Sequence, residues 1–580
     1  MSSTDDLVPP PPAPSEAWFR SAVVYQIYPR SFADSNGDGI GDLPGVVRKL
    51  DYLHALGVNV VWLCPVYRSP QDDNGYDVSD YQDVDPSFGT LADLDRLIAG
   101  LHARGMKLVM DLVVNHTSDE HPWFVESRSS RHNPKRDWYW WRPPRSGHRE
   151  KPPQAGDEPN NWGSAFSGPA WEHDPLTGEY YLHLFSRKQP ELNWENAELR
   201  SAVHETMTWW LDRGVDGFRM DVVNFLSKDV ALPDGPTAPG KQYGDGSGSY
   251  ICGPRIHEFL HELHSTVFEG RTRELLIVGE MPGVSTEDAI LFTDPARREV
   301  DMVCQFDHLV LDCEDGDKWR PRPFELTRLK ASLGRWQEAL ADRGWSCLFW
   351  GSHDAARAVS RFGDDDAFRV ESAKMLAGIL HLHRGTPFVY QGEELGMTNL
   401  RFAAIEEHRD IEVLNHHRDA TTRLGRTDAE VLAAVAPLNR DNARTPMQWD
   451  ATRNGGFTTG TPWIGINPNA ARINAAAQVD DPDSVFSFYR RVIALRRTDP
   501  LVANGDFTML VPEHQQVYAF RRALPPAEML VLGNFSDVEQ TVDVGDPTWA
   551  DADQVLGNYV ARAGLDLRPW ELKVFRREGV

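Results

Sequence analysis

The chain has 580 residues, of which 41% are hydrophobic, and a formal net charge of -26 at pH 7. That length calls for two or three domains, and a mean hydropathy of -0.47 suits a soluble protein with a large core. The acidic balance argues against nucleic acid or an anionic membrane as a partner, and no apolar window approaches the length of a membrane span.

The first segment, 1–17, is rich in proline and lacks both the basic region and the apolar stretch of a signal peptide. It reads as a disordered tail on a cytoplasmic protein. Eight short apolar runs follow, at 23–28, 58–65, 107–114, 215–222, 275–280, 301–306, 346–350 and 387–390. Amphipathic stretches such as 91–104, 198–212 and 369–383 lie between them. Short buried runs alternating with helices predict an α/β fold with a parallel sheet, and eight repeats predict a (β/α)8 TIM barrel. The barrel would comprise 18–116 and 189–500. The stretch 117–188, rich in Trp, Pro, Gly and charge, is too long for a structureless loop and predicts a small domain inserted after the third strand. A second insertion, about 398–462, follows the eighth strand. From 501 to 580 the runs FTMLV, VYAFRR, MLVLGNF and ELKVFRR predict a closing antiparallel β-domain, a β-sandwich.

The five cysteines, Cys64, Cys252, Cys304, Cys313 and Cys347, are odd in number and form no CxxC pair, so they read as reduced core residues. Nineteen tryptophans suit the flat faces of sugar rings, and a large barrel core would also absorb most of them.

Two segments carry the chemistry. GFRMDVVN (217–224) and LLIVGEM (275–281) each run from apolar residues straight into an acid, Asp221 and Glu280. Cleavage of a glycosidic bond needs two carboxyl groups flanking it, and strand exits are where a (β/α)8 barrel places reactive side chains. Arg219, two positions before Asp221, shares its strand face and would keep that carboxylate ionised, as a nucleophile requires. Glu280 ends a very apolar run, and burial would hold its proton for donation. A third acid, Asp354, stands beside His353 in FWGSHDAAR (349–357), while DLVVNH supplies Asp111, Asn115 and His116. In DNGYDVSDY, Tyr76 could stack on a sugar ring and Asp77 could accept from its hydroxyls. Finally, DSNGDGIGD places Asp34, Asn36, Asp38, the Ile40 carbonyl and Asp42 at calcium-loop positions. Gly45 stands where an EF-hand has its bidentate Glu, so the expectation is a loop holding one structural Ca²⁺ and not an EF-hand.

In order and context, AVVYQIYPRSF, DLVVNH, GFRMD, VGEM and the HD of Asp354 resemble the motifs of glycoside hydrolase family 13, the α-amylase family, over nearly the whole chain. QPELNW (189–194), which begins at Gln189, GEMPGVS, GTPFVYQGEELGM (385–397) and RDNARTPMQWD (440–450) look like its oligo-1,6-glucosidase group. That resemblance implies an exo-acting, retaining α-glucosidase using short oligosaccharides, with no organic cofactor and a monomeric or weakly homo-oligomeric state. Asp221 would be the nucleophile, Glu280 the acid/base and Asp354 the stabiliser of the transition state. His116, Gln189, Arg219 and His353 would line the same subsite, with Tyr76 beside them. Asp77 and Arg444 would clamp the non-reducing glucose. In this group Val after the nucleophile accompanies α-1,6 activity, so Val222 points to isomaltose, isomaltooligosaccharides and panose.

The chain also departs from the group. NNHDQPR becomes Gly351, Ser352, His353, Asp354, Ala355, Ala356 and Arg357, and QPDLN becomes QPELN with Glu191. Such changes leave open an α-1,4 preference, glucosyl transfer or a sucrose-active enzyme on the same scaffold. PRPFELTRLK (321–330) lacks the RLDRD-type pattern of sucrose isomerases. A non-catalytic transporter subunit would lack the three acids that this chain keeps.

Overall fold

The structure is a computed structural model and describes residues 17–149, 154 and 156–579. The expected tail, 1–17, lies outside the described residues except for Ala17. The barrel strands are β1 (Val24–Ile27), β2 (Val60–Leu63), β3 (Lys107–Leu112), β4 (Gly217–Met220), β5 (Leu276–Glu280), β6 (Met302–Cys304), β7 (Cys347–Leu348) and β8 (Thr386–Tyr390). Each falls within or against one of the eight apolar runs. Neighbours pair in parallel, β8 returns to β1 through Val24 opposite Phe388, and a parallel bridge from Val303 to Ser346 joins β6 to β7. The sheet is therefore closed, without the exposed edge that an open sheet would present.

Alternation along each strand divides the core into two layers. Val60 and Trp62 point into the barrel with Val24, Val278 and Phe388, whereas Val61 and Leu63 point outward toward the helices. Those helices are set by local signals. Leu91–His102 starts on a capping box between Thr90 and Asp93, and Ala197–Arg213 runs from an Asn196 cap to a left-handed Gly214. Gly217 at the head of β4 has a φ of 146°, and a Cβ there would lie 1.9 Å from the Leu276 carbonyl oxygen. Only glycine lets β4 and β5, the two strands that end in reactive acids, approach so closely.

The segment between β3 and β4 contains a three-stranded antiparallel sheet of Trp141–Arg142, Glu179–Leu182 and Trp171–Asp174, with Glu179–Leu182 central. Its apolar cluster of Trp140, Trp162, Trp171 and Tyr180 also takes in Val222 and Phe225, so the insert is seated directly on the chain after β4. After β8, helices Ile411–Thr422 and Asp428–Val435 and the short turn Asp441–Arg444 cover the rim. The C-terminal strands are β9 (Asp506–Leu510), β10 (Val517–Leu524), β11 (Ala527–Asn534), β12 (Asp553–Gly557) and β13 (Leu572–Glu578). They form one antiparallel sheet in the order β9-β10-β11-β13-β12. The expected antiparallel domain is present as this single sheet. Where a sandwich would place a second sheet, the described residues have one bridge, Gln540 to Leu567.

One expectation is corrected. Cys304 and Cys347 form a disulfide, with Cα atoms 4.9 Å apart, while Cys64, Cys252 and Cys313 are free. The two paired residues end β6 and begin β7 side by side at the seam that closes the barrel. Their separation of 43 residues hides that adjacency in the sequence. Among the described residues no helix is long and apolar enough to cross a membrane.

Candidate active site

All the acids singled out in the sequence, except Asp77 and those of the 34–42 loop, meet at the C-terminal ends of the barrel strands. A cavity of about 560 Å³, counting space open to solvent, is walled by Asp221, Glu280 and Asp354. Tyr76, His116 and Val222 also face it, together with Asp73, Arg440 and four further side chains, Phe166, Phe185, Pro282 and Phe306. No tryptophan lines it. Nearly all its aromatic surface comes from Tyr76 and the three phenylalanines, and the tryptophans serve mainly as core.

Arg219 organises one side. Its guanidinium, 2% exposed, donates to Asp221 Oδ1 at 2.7 Å and to Asp111 Oδ1 at 2.9 Å, and it also pairs with Glu280. Asp111 is fixed in turn by Trp62 Nε1 at 3.0 Å and the Tyr76 hydroxyl at 2.9 Å. The Val222 N–H donates to Glu280 Oε2 at 3.1 Å, tying the residue after the nucleophile candidate to the acid candidate. Val222 itself has φ 35° and ψ 42°, a left-handed conformation for a β-branched residue. Burial pushes the Glu280 carboxyl well above the ordinary range, and Asp221 adds to the rise, against the opposing pull of Arg219.

The opposite side is richer in cations. Asp354 Oδ1 accepts from Arg444 at 3.0 Å and from Arg440 at 3.2 Å, and its other oxygen lies 3.0 Å from His353 Nε2. Burial raises this carboxyl too, but His353, Arg440 and Arg444 together outweigh burial and hold it well below the ordinary range. His353 is braced by Gln26 Nε2, 2.8 Å from its Nδ1, and by stacking of the Tyr76 ring at 5.1 Å. Arg440 also binds Asp410 at 2.6 Å and Asp73 at 3.3 Å, which closes the wall behind Asp354.

Five residues expected in the site do not line the cavity: Arg219 and His353, which brace its acids, and Asp77, Gln189 and Arg444. Asp77 is buried and accepts from Ser69 Oγ and from the N–H groups of Asp72 and Asp73. It shapes the turn, and the neighbouring Asp73 is the acid that reaches the cavity. Burial pushes the Asp73 carboxyl up to about 7, against the pull of Arg440 and Arg444. Gln189 donates to Asp73 Oδ2 at 3.1 Å and supports His116 at 3.2 Å, without lining the cavity. Arg444 holds Asp354 from below, and it is Arg440, four residues earlier, that lines the space. Asp73 and Arg440 were thus missed, although each stands four positions from the residue chosen and within the same quoted motif or its edge. Glu191 is wholly buried, accepting from Asn115 Nδ2 at 2.9 Å and lying 2.9 Å from Lys228 Nζ.

In the 34–42 loop, Asp34 accepts from the N–H groups of Asn36, Gly37 and Gly39 and from the Thr458 hydroxyl. Asp42 caps the helix Leu43–Val47 through the Gly45 N–H at 2.7 Å, and Asn36 Nδ2 donates to Asp38 Oδ2 at 3.1 Å. The donor set is all oxygen, which suits Ca²⁺, but here those oxygens serve mostly the loop's own N–H groups. Among the described residues no group of three or more His, Cys, Asp or Glu side chains is gathered to hold a metal ion.

A closed parallel barrel with paired carboxyls, Asp221 and Glu280, meeting in one cavity at its strand exits is the arrangement of a glycoside hydrolase. The chain belongs to the α-amylase family: residues 26–505 match the model of the alpha amylase catalytic domain. An oligo-1,6-glucosidase of Parageobacillus thermoglucosidasius is 52% identical over 565 residues, covering 96% of this chain and 99% of the relative. Among solved structures, trehalose-6-phosphate hydrolase of Bacillus licheniformis is similar with a TM-score of 0.88 and 43% identity, covering 96% of this chain and 99% of that one. Isomaltulose synthase from Klebsiella sp. LX3 is similar with a TM-score of 0.90 and 40% identity, covering 97% and 99%.

Proposed function

We propose that the protein is an exo-acting, retaining α-glucosidase that releases glucose from the non-reducing end of short α-glucosides and prefers α-1,6 links. The observation that carries this reading is the meeting of three carboxyls on one cavity: Asp221 held by Arg219, Glu280 buried beside it, and Asp354 held by Arg440, Arg444 and His353. In the first step an Asp221 oxygen attacks the anomeric carbon while Glu280 gives its proton to the departing oxygen, and the glycosidic bond breaks. The Glu280 carboxylate then takes a proton from water, whose oxygen displaces Asp221 and frees the sugar. Asp354 faces the positive charge that grows on the ring, and His116 and Tyr76 line its surroundings. The wall of Asp73, Arg440 and Asp354 closes the cavity behind one glucose unit, which favours removal of single units over cutting within a chain.

The α-1,6 preference rests on Val222 beside the cavity and on the 52% identity with an oligo-1,6-glucosidase, against 46% for a trehalose-6-phosphate hydrolase of Bacillus subtilis. Comparison of kcat/KM on isomaltose, maltose and sucrose, with all sugar products resolved, tests it. Glucose formed mainly from isomaltose supports the reading. Preference for maltose or sucrose, or new oligosaccharides in place of glucose, overturns it.

The net charge of -26 suits a monomer or weak homo-oligomer in the cytoplasm. A structural Ca²⁺ would be held by Asp34, Asn36, Asp38, the Ile40 carbonyl and Asp42, none of which lines the cavity, and would stiffen that loop. Chelation should then lower Tm, with recovery on adding Ca²⁺ and with kcat unchanged. An unchanged Tm rules the ion out.

A further inference from the structure

Arg357 lies three residues after Asp354, in the segment that carries the transition-state carboxylate. It is 3% exposed, and among the described residues no carboxylate stands within ion-pairing distance of it. Its guanidinium is spent on main-chain carbonyls: Gln391 at 2.6 Å, Ala443 at 2.9 Å, Thr445 at 3.2 Å and Asn442 at 3.3 Å. Its own N–H donates to Asn399 Oδ1 at 2.9 Å. Gln391 follows β8, and residues 442–445 belong to the turn that presents Arg440 and Arg444 to Asp354. One side chain therefore joins the loop bearing the acid to the segment bearing both of its guanidinium partners.

The loop is built of small, buried side chains. Narrow spaces touch it at Gly351 and Ser352 on one side and at Gly351, Ala356 and Arg357 on the other. A Cβ on Gly351 would meet nothing nearer than the Ala356 carbonyl oxygen at 3.7 Å and Glu393 Oε2 at 3.9 Å. The group that this chain resembles carries larger Asn, Gln and Pro side chains beside the same Arg; here Arg357 holds the loop without them.

We propose that Arg357 is a positioning residue that sets Asp354 against Arg440 and Arg444, in a loop whose neighbouring side chains are small. The proposal rests on the reading of Asp354 as the transition-state stabiliser. A planar fork of five N–H donors can satisfy four carbonyls at once, whereas an ammonium has three donors on a flexible stem. Displacement of a reacting group by about 1 Å costs on the order of 100-fold in rate.

The test compares Arg357→Lys, Asn399→Ala and Asp354→Asn on isomaltose and on an activated aryl α-glucoside, with Tm measured for each. Arg357→Lys is expected to lower kcat by about 10- to 100-fold with little change in KM. The loss should be equal on both substrates, because it affects charge on the ring and not protonation of the leaving group. Asn399→Ala, a milder loosening of the same clamp, should lower kcat several-fold with the same equality, and it serves where Arg357→Lys does not fold. A folded variant with a lower Tm and unchanged kcat overturns the proposal, as does a loss confined to isomaltose. Should Asp354→Asn itself retain kcat, the reading of Asp354 falls; should it be inactive while the other two keep full kcat, only the role of Arg357 falls.

Discussion

Glu280 and Asp354 are carboxyls on one cavity rim, the first buried and the second partly exposed, and the two sides of the rim treat them oppositely. On the β4–β5 side, Asp111, Asp221 and Glu280 share the single guanidinium of Arg219, and burial prevails, keeping Glu280 protonated. On the β7–β8 side, Asp354 meets His353, Arg440 and Arg444, and these outweigh its loss of water. The direction of each shift follows the balance of cations and carboxylates around the group, with the greater exposure of Asp354 acting in the same sense. A proton donor and a charge stabiliser thus arise from the same functional group a short distance apart.

The comparison can be broken most severely at Asp221. Asp221→Asn removes the nucleophile that both sides serve, and kcat should fall on the order of 10⁴-fold or more, measured on isomaltose with Tm as the control for folding. Next is Glu280→Gln, expected to cost about 10²- to 10⁴-fold on isomaltose and much less on an aryl glucoside whose leaving group needs no proton. The pH dependence carries the sign. Glu280 acts while protonated and its carboxyl is held high, so kcat/KM should fall as pH rises through that raised value. An alkaline limb that survives in Glu280→Gln, measured on the aryl substrate, would place its origin elsewhere. On the other side, Arg444→Met leaves Asp354 with one guanidinium fewer. Its carboxyl should rise, moving the acid limb of kcat upward by about one pH unit or more, and the pH profile reads this directly. The smallest effect should come from Val222→Thr, which changes the isomaltose-to-maltose ratio of kcat/KM by about tenfold, the scale of a single pocket contact.

Much of this was legible in the sequence because barrel strands are short apolar runs that end in polar residues. Asp221 and Glu280 were visible as acids closing such runs, and Gly217 as the residue preceding FRMD. Side-chain direction inside a loop leaves no such trace. In DDNGYD, Asp77 turns back to cap its own turn while Asp73 reaches the cavity, a choice made by backbone N–H groups at 72 and 73. Arg440 and Arg444 both belong to RDNAR, and the contact that separates them is with Asp73 from another strand exit. Likewise Cys304 and Cys347 become partners only when eight strands close and bring β6 against β7.

Val222 carries a cost of a different kind. Its left-handed backbone is unfavourable for a β-branched side chain by on the order of 1–3 kcal/mol, and the bond from its N–H to Glu280 and the apolar cluster of the insert hold it there. Asparagine accepts that conformation more readily, so Val222→Asn should relieve the strain while losing the apolar wall beside the bond to be cleaved. Heat tolerance and substrate choice therefore pull in opposite directions at this one residue. Selection for thermostability alone would be expected to erode linkage preference there first.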